Sequence, residues 1–404
     1  MNEYVTTMTM KNDPSGFIFA ADIHLSKLTW QNKPDMIGDS WRSFMQIIDY
    51  ALEHKLPIIL GGDVFDKEQP DSASLQVLYR AMDKMQAAGL AVYFIEGQHE
   101  KAQPAWMSAH AWPQHVGIPP NQFFTIASHT FYGINWTARS EIKELVNSIP
   151  QNVEFLVMHQ VWAEHMGNIV IPELSIHDLP YACTVLTGDY HKHQITEHIT
   201  AGGKITMVSP GSINMRKIDE DPEKYFYHYD FASRKFQAIQ LVTTPKFEVT
   251  VSSFAALQQF TEQLDQAIKQ QQNNQIKPVV RIYYDAREWD TAYTDIQRML
   301  SKKANLFIVP LEFEIVTSLD MPEPSLIQLN IDQHDGDIKS AVGTLLQQQL
   351  SEYSKFDLVH HAIMKLLTDN QTNIRSLTEN VVQATFDQIQ KGRQVNANNQ
   401  ATHA

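Results

Sequence analysis

Five stretches of this 404-residue chain share one construction, a short apolar run that stops abruptly at Asp, His or Gly-Asp. They are residues 17–24 (FIFAADIH), 58–66 (IILGGDVFD), 92–100 (VYFIEGQHE), 155–159 (FLVMH) and 184–191 (TVLTGDYH). Uninterrupted apolar runs of this length suit strands buried on both faces, not half-exposed strands. In sheets of such strands, ligands collect at the carboxyl ends. Here every carboxyl end carries a hard oxygen or an imidazole. A chain built this way gathers distant residues into one metal site.

Helical patterns lie between the runs, so the chain reads as α/β. Residues 41–54 place Phe44, Ile47, Ile48 and Ala51 on one face, and residues 71–88 do the same with Leu75, Leu78, Met82 and Met85. Residues 225–241 read as a closing hairpin. A catalytic unit over 1–245 is expected to give way to a smaller α/β unit over 246–317, with the order strand, helix, strand, helix, strand. Its strands fall at 246–251, 279–284 and 306–316. Its helices are marked by Phe254, Leu257, Phe260, Leu264 and Ile268, and by residues 290–300. Pro322, Pro324 and Gly336 mark a linker over 318–337. Residues 338–391 carry helical apolar stripes suited to docking on a partner, and 392–404 form a polar tail expected to be disordered.

Size and composition narrow the classes. The length favours more than one core, and no apolar run approaches a membrane span. Residues 1–15 are polar and lack an apolar signal core, and Cys183 is the single cysteine. A cytoplasmic protein without a membrane role is therefore expected. The net charge of −14 counts against nonspecific nucleic-acid binding through clustered Lys and Arg. Cations held by the acidic residues offset part of that charge, and a partner subunit could supply a basic surface.

Each motif has an ordinary structural explanation when taken alone. Asp22 can cap a turn, Asp66 can cap a helix, His159 can be a hydrogen-bonded core residue, and Gln98-His99 can be a polar turn. His193 competes with His191 for any ligand role. Five such accidents at five strand ends are improbable. Mixed Asp, His and amide ligands suit a pair of Mn²⁺, Fe²⁺ or Zn²⁺ ions. Two ions about 3.5–4 Å apart stabilise both oxygens of an in-line phosphoryl displacement.

The order Asp-x-His, Gly-Asp-x-x-Asp, Gly-Gln-His-Glu, His, Gly-Asp-x-His resembles that of calcineurin-like metallophosphoesterases. Residues 188–194 (GDYHKHQ) and the nearby Ser209-Pro210-Gly211-Ser212 resemble the SbcD-type nuclease branch, the bacterial and phage relatives of the eukaryotic double-strand-break repair nuclease. The resemblance covers residues 16–230. It implies a β-sandwich flanked by helices, with a small capping domain and a helical C-terminal tail. It also implies one ion held by Asp22, His24, Asp63 and His191, and a second by Asp63, Gln98, His159 and Asp189. His99 would contact the scissile phosphate or protonate the leaving oxygen, and Asp66 would support the site. The implied activity is Mn²⁺-dependent cleavage of DNA, at duplex ends and in single strands, with Mg²⁺, Fe²⁺ or Zn²⁺ as alternative ions. The implied assembly is a homodimer joined to an SMC-like, SbcC-type ATPase. Gln98 stands where the family has Asn, and Asp189 where it has His, so the second ion's site is expected to be retuned but active. The alternatives are a phosphatase or nucleotide phosphodiesterase of the same family, and a scaffold that binds DNA ends without cutting.

Overall fold

The computed structural model describes residues 13–311, apart from 28–29, 31–32, 101–105, 110–114, 118–121, 151–152, 167–171, 271–275 and 285–288. Residues 1–319 form one compact unit; the second, 320–404, lies wholly outside the described residues. The expected linker, partner-binding helices and polar tail therefore lie outside them too.

The first part of the chain runs β1 (Gly16–Ala20), α1 (Asp39–His54), β2 (Ile58–Gly61), α2 (Ser72–Ala87), β3 (Val92–Ile95), α3 (Trp106–Ala109) and β4 (His115–Gly117). It continues through β5 (Gln122–Ile126), β6 (His129–Ile134), α4 (Arg139–Asn147), β7 (Phe155–His159), α5 (Ala163–Met166) and β8 (Thr184–Gly188). Strands β9 (Gln194–Thr200), β10 (Gly203–Ser209), β11 (Tyr225–Asp230) and β12 (Lys235–Gln240) complete it. Two six-stranded sheets result, ordered β12-β11-β1-β2-β3-β4 and β5-β6-β7-β8-β10-β9. Strands β1 to β4 are parallel, and β11–β12 is the expected antiparallel hairpin, paired to β1 through β11.

The two sheets pack face to face. Phe17, Phe19 and Ala21 point into the space between them and meet Phe131, Phe155, Val157, Leu186 and Val208. Ile18 and Ala20 point the other way, onto Phe44, Ile47 and Ile48 of α1 and Leu78 and Met82 of α2. The outer face of the second sheet, with Leu156, Met158, Val185 and Met207, is covered by Ile142 and Val146 of α4 and by Trp162. Both faces of each central strand are thus apolar, which is why the runs do not alternate. Helix α2 is capped by Asp71, whose carboxylate accepts from the amides of Ala73 and Ser74 at 3.1 and 3.0 Å. Asp66 is thereby left free of any capping duty.

A third sheet of parallel strands follows, β13 (Lys246–Val251), β14 (Val279–Tyr284) and β15 (Asn305–Pro310), with α6 (Phe254–Gln270) and α7 (Ala292–Leu300) between them. Leu257 and Leu264 of α6 and Ile296 and Leu300 of α7 cover Val280 and Ile282. The expected last strand begins at Asn305, and its residues beyond 311 lie outside the described ones. Val279 and Phe307 pack against Trp30, Met36 and Met215. The Trp30 indole donates to the Met215 carbonyl at 3.0 Å, and the Lys33 ammonium to the Leu306 carbonyl at 2.7 Å. No helix among the described residues is long and apolar enough to cross a membrane.

Phe17 is the ring on which the inter-sheet core converges. It meets Phe131 and Phe155 edge-on, with centroids 5.3 and 5.4 Å away, and Tyr229 at 5.1 Å. Replacing Phe17 by Ala is expected to destabilise the fold by about 3–5 kcal/mol. Urea unfolding measures this; a loss below about 1 kcal/mol would show that the sheets close over the gap.

Candidate metal centre

The five motifs meet at the carboxyl ends of β1, β2, β3, β7 and β8. Each strand stops and its next residues turn into the same space. The turns are stitched to one another: the His24 amide donates to the Asp63 carbonyl at 2.9 Å and the Leu25 amide to Val64 at 2.8 Å. Asp22, His24, Asp63 and Asp189 all adopt left-handed backbone, with φ of 51°, 47°, 50° and 76°. Such conformations cost on the order of 1–3 kcal/mol each and persist where the surroundings over-determine them. Four of the nine expected site residues carry this strain.

The side chains converge closely. His24 Nε2 lies 3.3 Å from His191 Nε2, 3.7 Å from Asp22 Oδ1 and 3.9 Å from Asp63 Oδ2. His191 Nε2 is 3.6 Å from Asp22 Oδ1. His159 Nε2 is 3.3 Å from Asp63 Oδ2, 4.0 Å from Asp22 Oδ1 and 3.9 Å from Asp189 Oδ1. His99 Nε2 lies 3.6 Å from Asp63 Oδ2. Three overlapping triads, Asp22–His24–His191, His24–Asp63–His99 and Asp22–Asp63–His159, each bring one ligand atom per residue within 4.8 Å of the others. Asp63 and Asp22 each belong to two of them.

Neighbouring groups set the orientation of each ring. His159 Nδ1 donates to the Gly61 carbonyl at 2.8 Å, which turns Nε2 toward the carboxylates. His99 Nδ1 donates to the Asp66 carbonyl at 2.7 Å, with the same effect. Asp22 accepts the Asp189 amide at 3.2 and 3.1 Å through its two oxygens, and Asp63 Oδ1 accepts the His99 amide at 3.0 Å. Gly97 is required here, because a Cβ at this position would lie 2.2 Å from Asp63 Oδ1 and 2.4 Å from the Asp63 amide nitrogen. The Ser209–Ser212 segment holds the last motif. Ser209 Oγ bonds the carbonyls of Tyr190 and Lys192 at 3.0 and 3.2 Å, and a Cβ on Gly211 (φ 73°) would strike the His191 carbonyl at 2.8 Å.

Gln98 and Asp189 stand together at the rim, the Gln98 amide nitrogen donating to Asp189 Oδ1 at 3.0 Å. His193 turns away and packs on Tyr225 with centroids 4.0 Å apart, so His191 is the imidazole of that pair that joins the cluster. A cavity of about 830 Å³ opens beside it, lined by residues that include His191, Lys192, Glu220 and Lys246. Asp66 contributes its carbonyl to His99, and its carboxylate pairs with Arg216.

Three residues that the motif reading gave no role also shape the site. Buried Glu100 accepts the amides of Asp63, Phe65 and Gly97 at 3.0, 3.0 and 2.7 Å and so ties the second motif to the third. Glu220 lies 3.9 Å from His191 Nδ1. Arg216 donates to His24 Nε2 at 3.2 Å. The Glu100 signal was present in the motif itself; Glu220 and Arg216 lie in an irregular stretch with no periodicity to mark them.

The electrostatics follow from burial and crowding. Burial alone pulls the His159 imidazole down, but the charges of Asp63, Asp22 and Asp189 outweigh it and push its pKa up to about 10. Burial is likewise outweighed at His191 by Asp22 and Glu220, which raise it to about 9. Burial holds His24 below its ordinary value, with the nearby Arg216 adding to it and Asp22 and Asp63 opposing it. Burial raises Glu100 to about 7 and Asp189 to about 6, with the charge of Asp63 adding to the first and those of Asp22 and Asp63 to the second. His159 Nε2 is buried and has no hydrogen-bond partner, although three carboxylates surround it. An unmatched imidazole nitrogen among carboxylates, with a second pair of imidazole nitrogens facing each other at 3.3 Å, is a donor set for divalent cations.

No model of a known family matches the chain. It is 25% identical over 289 residues to the DNA double-strand break repair protein Mre11 of Sulfurisphaera tokodaii, across 66% of this chain and 72% of that protein. It is 25% identical over 224 residues to the Mre11 of Methanosarcina acetivorans, across 52% of this chain. It is 24% identical over 237 residues to the uncharacterized metallophosphoesterase YhaO of Bacillus subtilis, again across 52% of this chain. The matches span 35% of the Methanosarcina protein and 56% of YhaO. The chain is thus similar, over half or more of its length, to double-strand break repair proteins and to a metallophosphoesterase. Asp22 and Asp63 each belong to two of the candidate metal-holding triads and stand at the centre of the cluster.

The raised imidazoles give a test of metal loading. Near pH 7, in metal-free protein, His159 and His191 carry protons, since their pKa values stand at about 10 and about 9. A cation needs the neutral ring, so loading should release protons, and apparent affinity should strengthen as pH rises toward 9. Calorimetric titration in two buffers of different ionisation enthalpy checks this. Equal heats in both would show that the rings were neutral before the metal arrived.

Proposed function

We propose that this chain is a metallophosphoesterase and a two-metal DNA nuclease of the SbcD-type branch, acting at DNA ends in repair, recombination or replication. The observation that carries the reading is the buried His159 Nε2, unpartnered among Asp22, Asp63 and Asp189 beside the facing His24 and His191. That arrangement supports one ion on Asp22, His24, Asp63 and His191 and a second on Asp63, Gln98, His159 and Asp189. When bound, paired divalent ions supply an activated water and charge neutralisation for in-line displacement at a phosphodiester. Mn²⁺ suits the mixed donor set. His99 holds a proton at Nε2 for the leaving oxygen, its ring fixed through Nδ1 by the Asp66 carbonyl. DNA as the substrate is supported by relatives named as double-strand break repair proteins.

The wider assembly belongs to the same reading. The unit over 246–317, packed beside the site through Val279 and Phe307, would cap it and contact DNA. In this reading residues 338–391 engage an SbcC-type ATPase, in a cytoplasmic homodimer. One observation favours a weakly held second ion: Gln98 and Asp189 bond each other at 3.0 Å.

The deciding assay uses the purified chain with linear and circular DNA, Mn²⁺ or Mg²⁺, and the ATPase present or absent. Chelation should abolish cleavage and Mn²⁺ restore it; full activity after chelation would sink the reading. His99→Ala should keep its metal and its DNA binding while cleavage falls by about 10²–10⁴-fold. Wild-type turnover in that variant would reject the proton role. Asp189→Ala should lose one metal of two, and unchanged stoichiometry would remove Asp189 from the ligand set.

A further inference from the structure

We propose that Arg216 binds substrate directly, its guanidinium taking a non-bridging oxygen of the phosphate group presented to the metal centre. The proposal rests on the phosphodiester reading above and adds a residue that none of the five motifs contains.

The geometry is specific. Arg216 Nη2 pairs with the Asp66 carboxylate, and Nη1 donates to His24 Nε2 at 3.2 Å. That nitrogen also faces His191, Asp22 and Asp63. Its lone pair serves one acceptor role at a time. Once it is given to a cation, the Nη1 hydrogen that pointed at it has lost its acceptor. Asp66 keeps the other arm of the guanidinium in place, so the freed donor stays beside the cluster. A donor left unmatched in a partly buried site is costly. The matching acceptor is an anionic oxygen, and arginine's planar fork suits phosphate.

The residue is also held firmly. The Arg216 amide donates to Glu220 Oε2 at 3.2 Å. Ile213 is buried in the core beneath α1 and α2. Met215 is locked between Trp30 and the third sheet, and its carbonyl receives the Trp30 indole at 3.0 Å. With its side chain 23% exposed, Arg216 has an anchored base and a face open to a ligand. A guanidinium kept only to neutralise Asp66 needs no contact with a nitrogen of the metal cluster.

Inorganic phosphate is the probe for the binding claim. Calorimetry on the Mn²⁺-loaded full chain should show phosphate affinity falling on the order of ten- to a hundredfold in Arg216→Gln, with an intermediate loss in Arg216→Lys. Metal content, measured by elemental analysis, should be unchanged in both. With bis(p-nitrophenyl) phosphate as substrate, Arg216→Gln should raise KM more than it lowers kcat. Phosphate affinity within twofold of wild type in the variants would overturn the proposal. So would loss of metal in Arg216→Gln, which would make Arg216 a support of the cluster. Full recovery in Asp66→Asn/Arg216→Gln would reduce the residue to charge neutralisation and overturn it as well. If Arg216→Gln does not fold, Arg216→Lys decides, because wild-type phosphate affinity there would deny any role for the fork. Wild-type protein that binds phosphate through Arg216 yet cleaves no diester would defeat the phosphodiester reading and leave this one standing.

Discussion

Two carboxylates, Asp22 and Asp63, are withdrawn from solvent at the ends of adjacent parallel strands, and the rest of the site is arranged around that fact. An ionised carboxylate without compensation does not survive such burial; it is paired, hydrogen-bonded or neutralised. Here backbone amides of Asp189 and His99 supply hydrogen bonds, and the imidazoles of His159, His191 and His24 supply the ring of nitrogens. In metal-free protein the compensating positive charge is a proton on His159 and on His191. A divalent cation offers the same compensation through the same nitrogens. The nitrogens that carry those protons are also the candidate donors to a cation.

That economy requires rigidity, because ligand atoms must stay converged whichever charge is present. The sandwich provides it from below, with Phe19, Ala21, Val157 and Leu186 filling the inter-sheet core next to the strand ends. The loops provide it from above. Glu100 gathers three amides from two motifs, and Ser209 with Gly211 folds the segment after β10 over the His191 turn. Left-handed backbone at four site residues is stable only inside such a frame. Support of this kind lets a site bind charge as it develops without reorganising first.

The third sheet is tied to the same frame. Met215 packs against Val279 and Phe307, and the next residue along the chain is Arg216, whose guanidinium touches Asp66 and His24. A short peptide thus joins the small α/β unit to the edge of the metal cluster.

The sequence by itself made the strands and the α/β class legible. Apolar runs of this length without alternation suit strands covered on both sides, and a ligand-type residue at the end of each then falls at the sheet's carboxyl edge. Helices α1, α2 and α6 were equally legible, since each carries one apolar stripe of helical period. Only the tertiary structure decided which of His191 and His193 enters the cluster. Both sit in one turn at the same spacing, and the choice is made by Ser209, Gly211 and Tyr225 from other strands. It also decided that Asp66 pairs with Arg216, and that Glu220 stands behind His191. Asp66 and Arg216 lie 150 positions apart, and Arg216 and Glu220 sit in irregular chain. Periodicity reports which face of an element is buried; it carries no record of which distant side chain will complete a charge once the chain has closed.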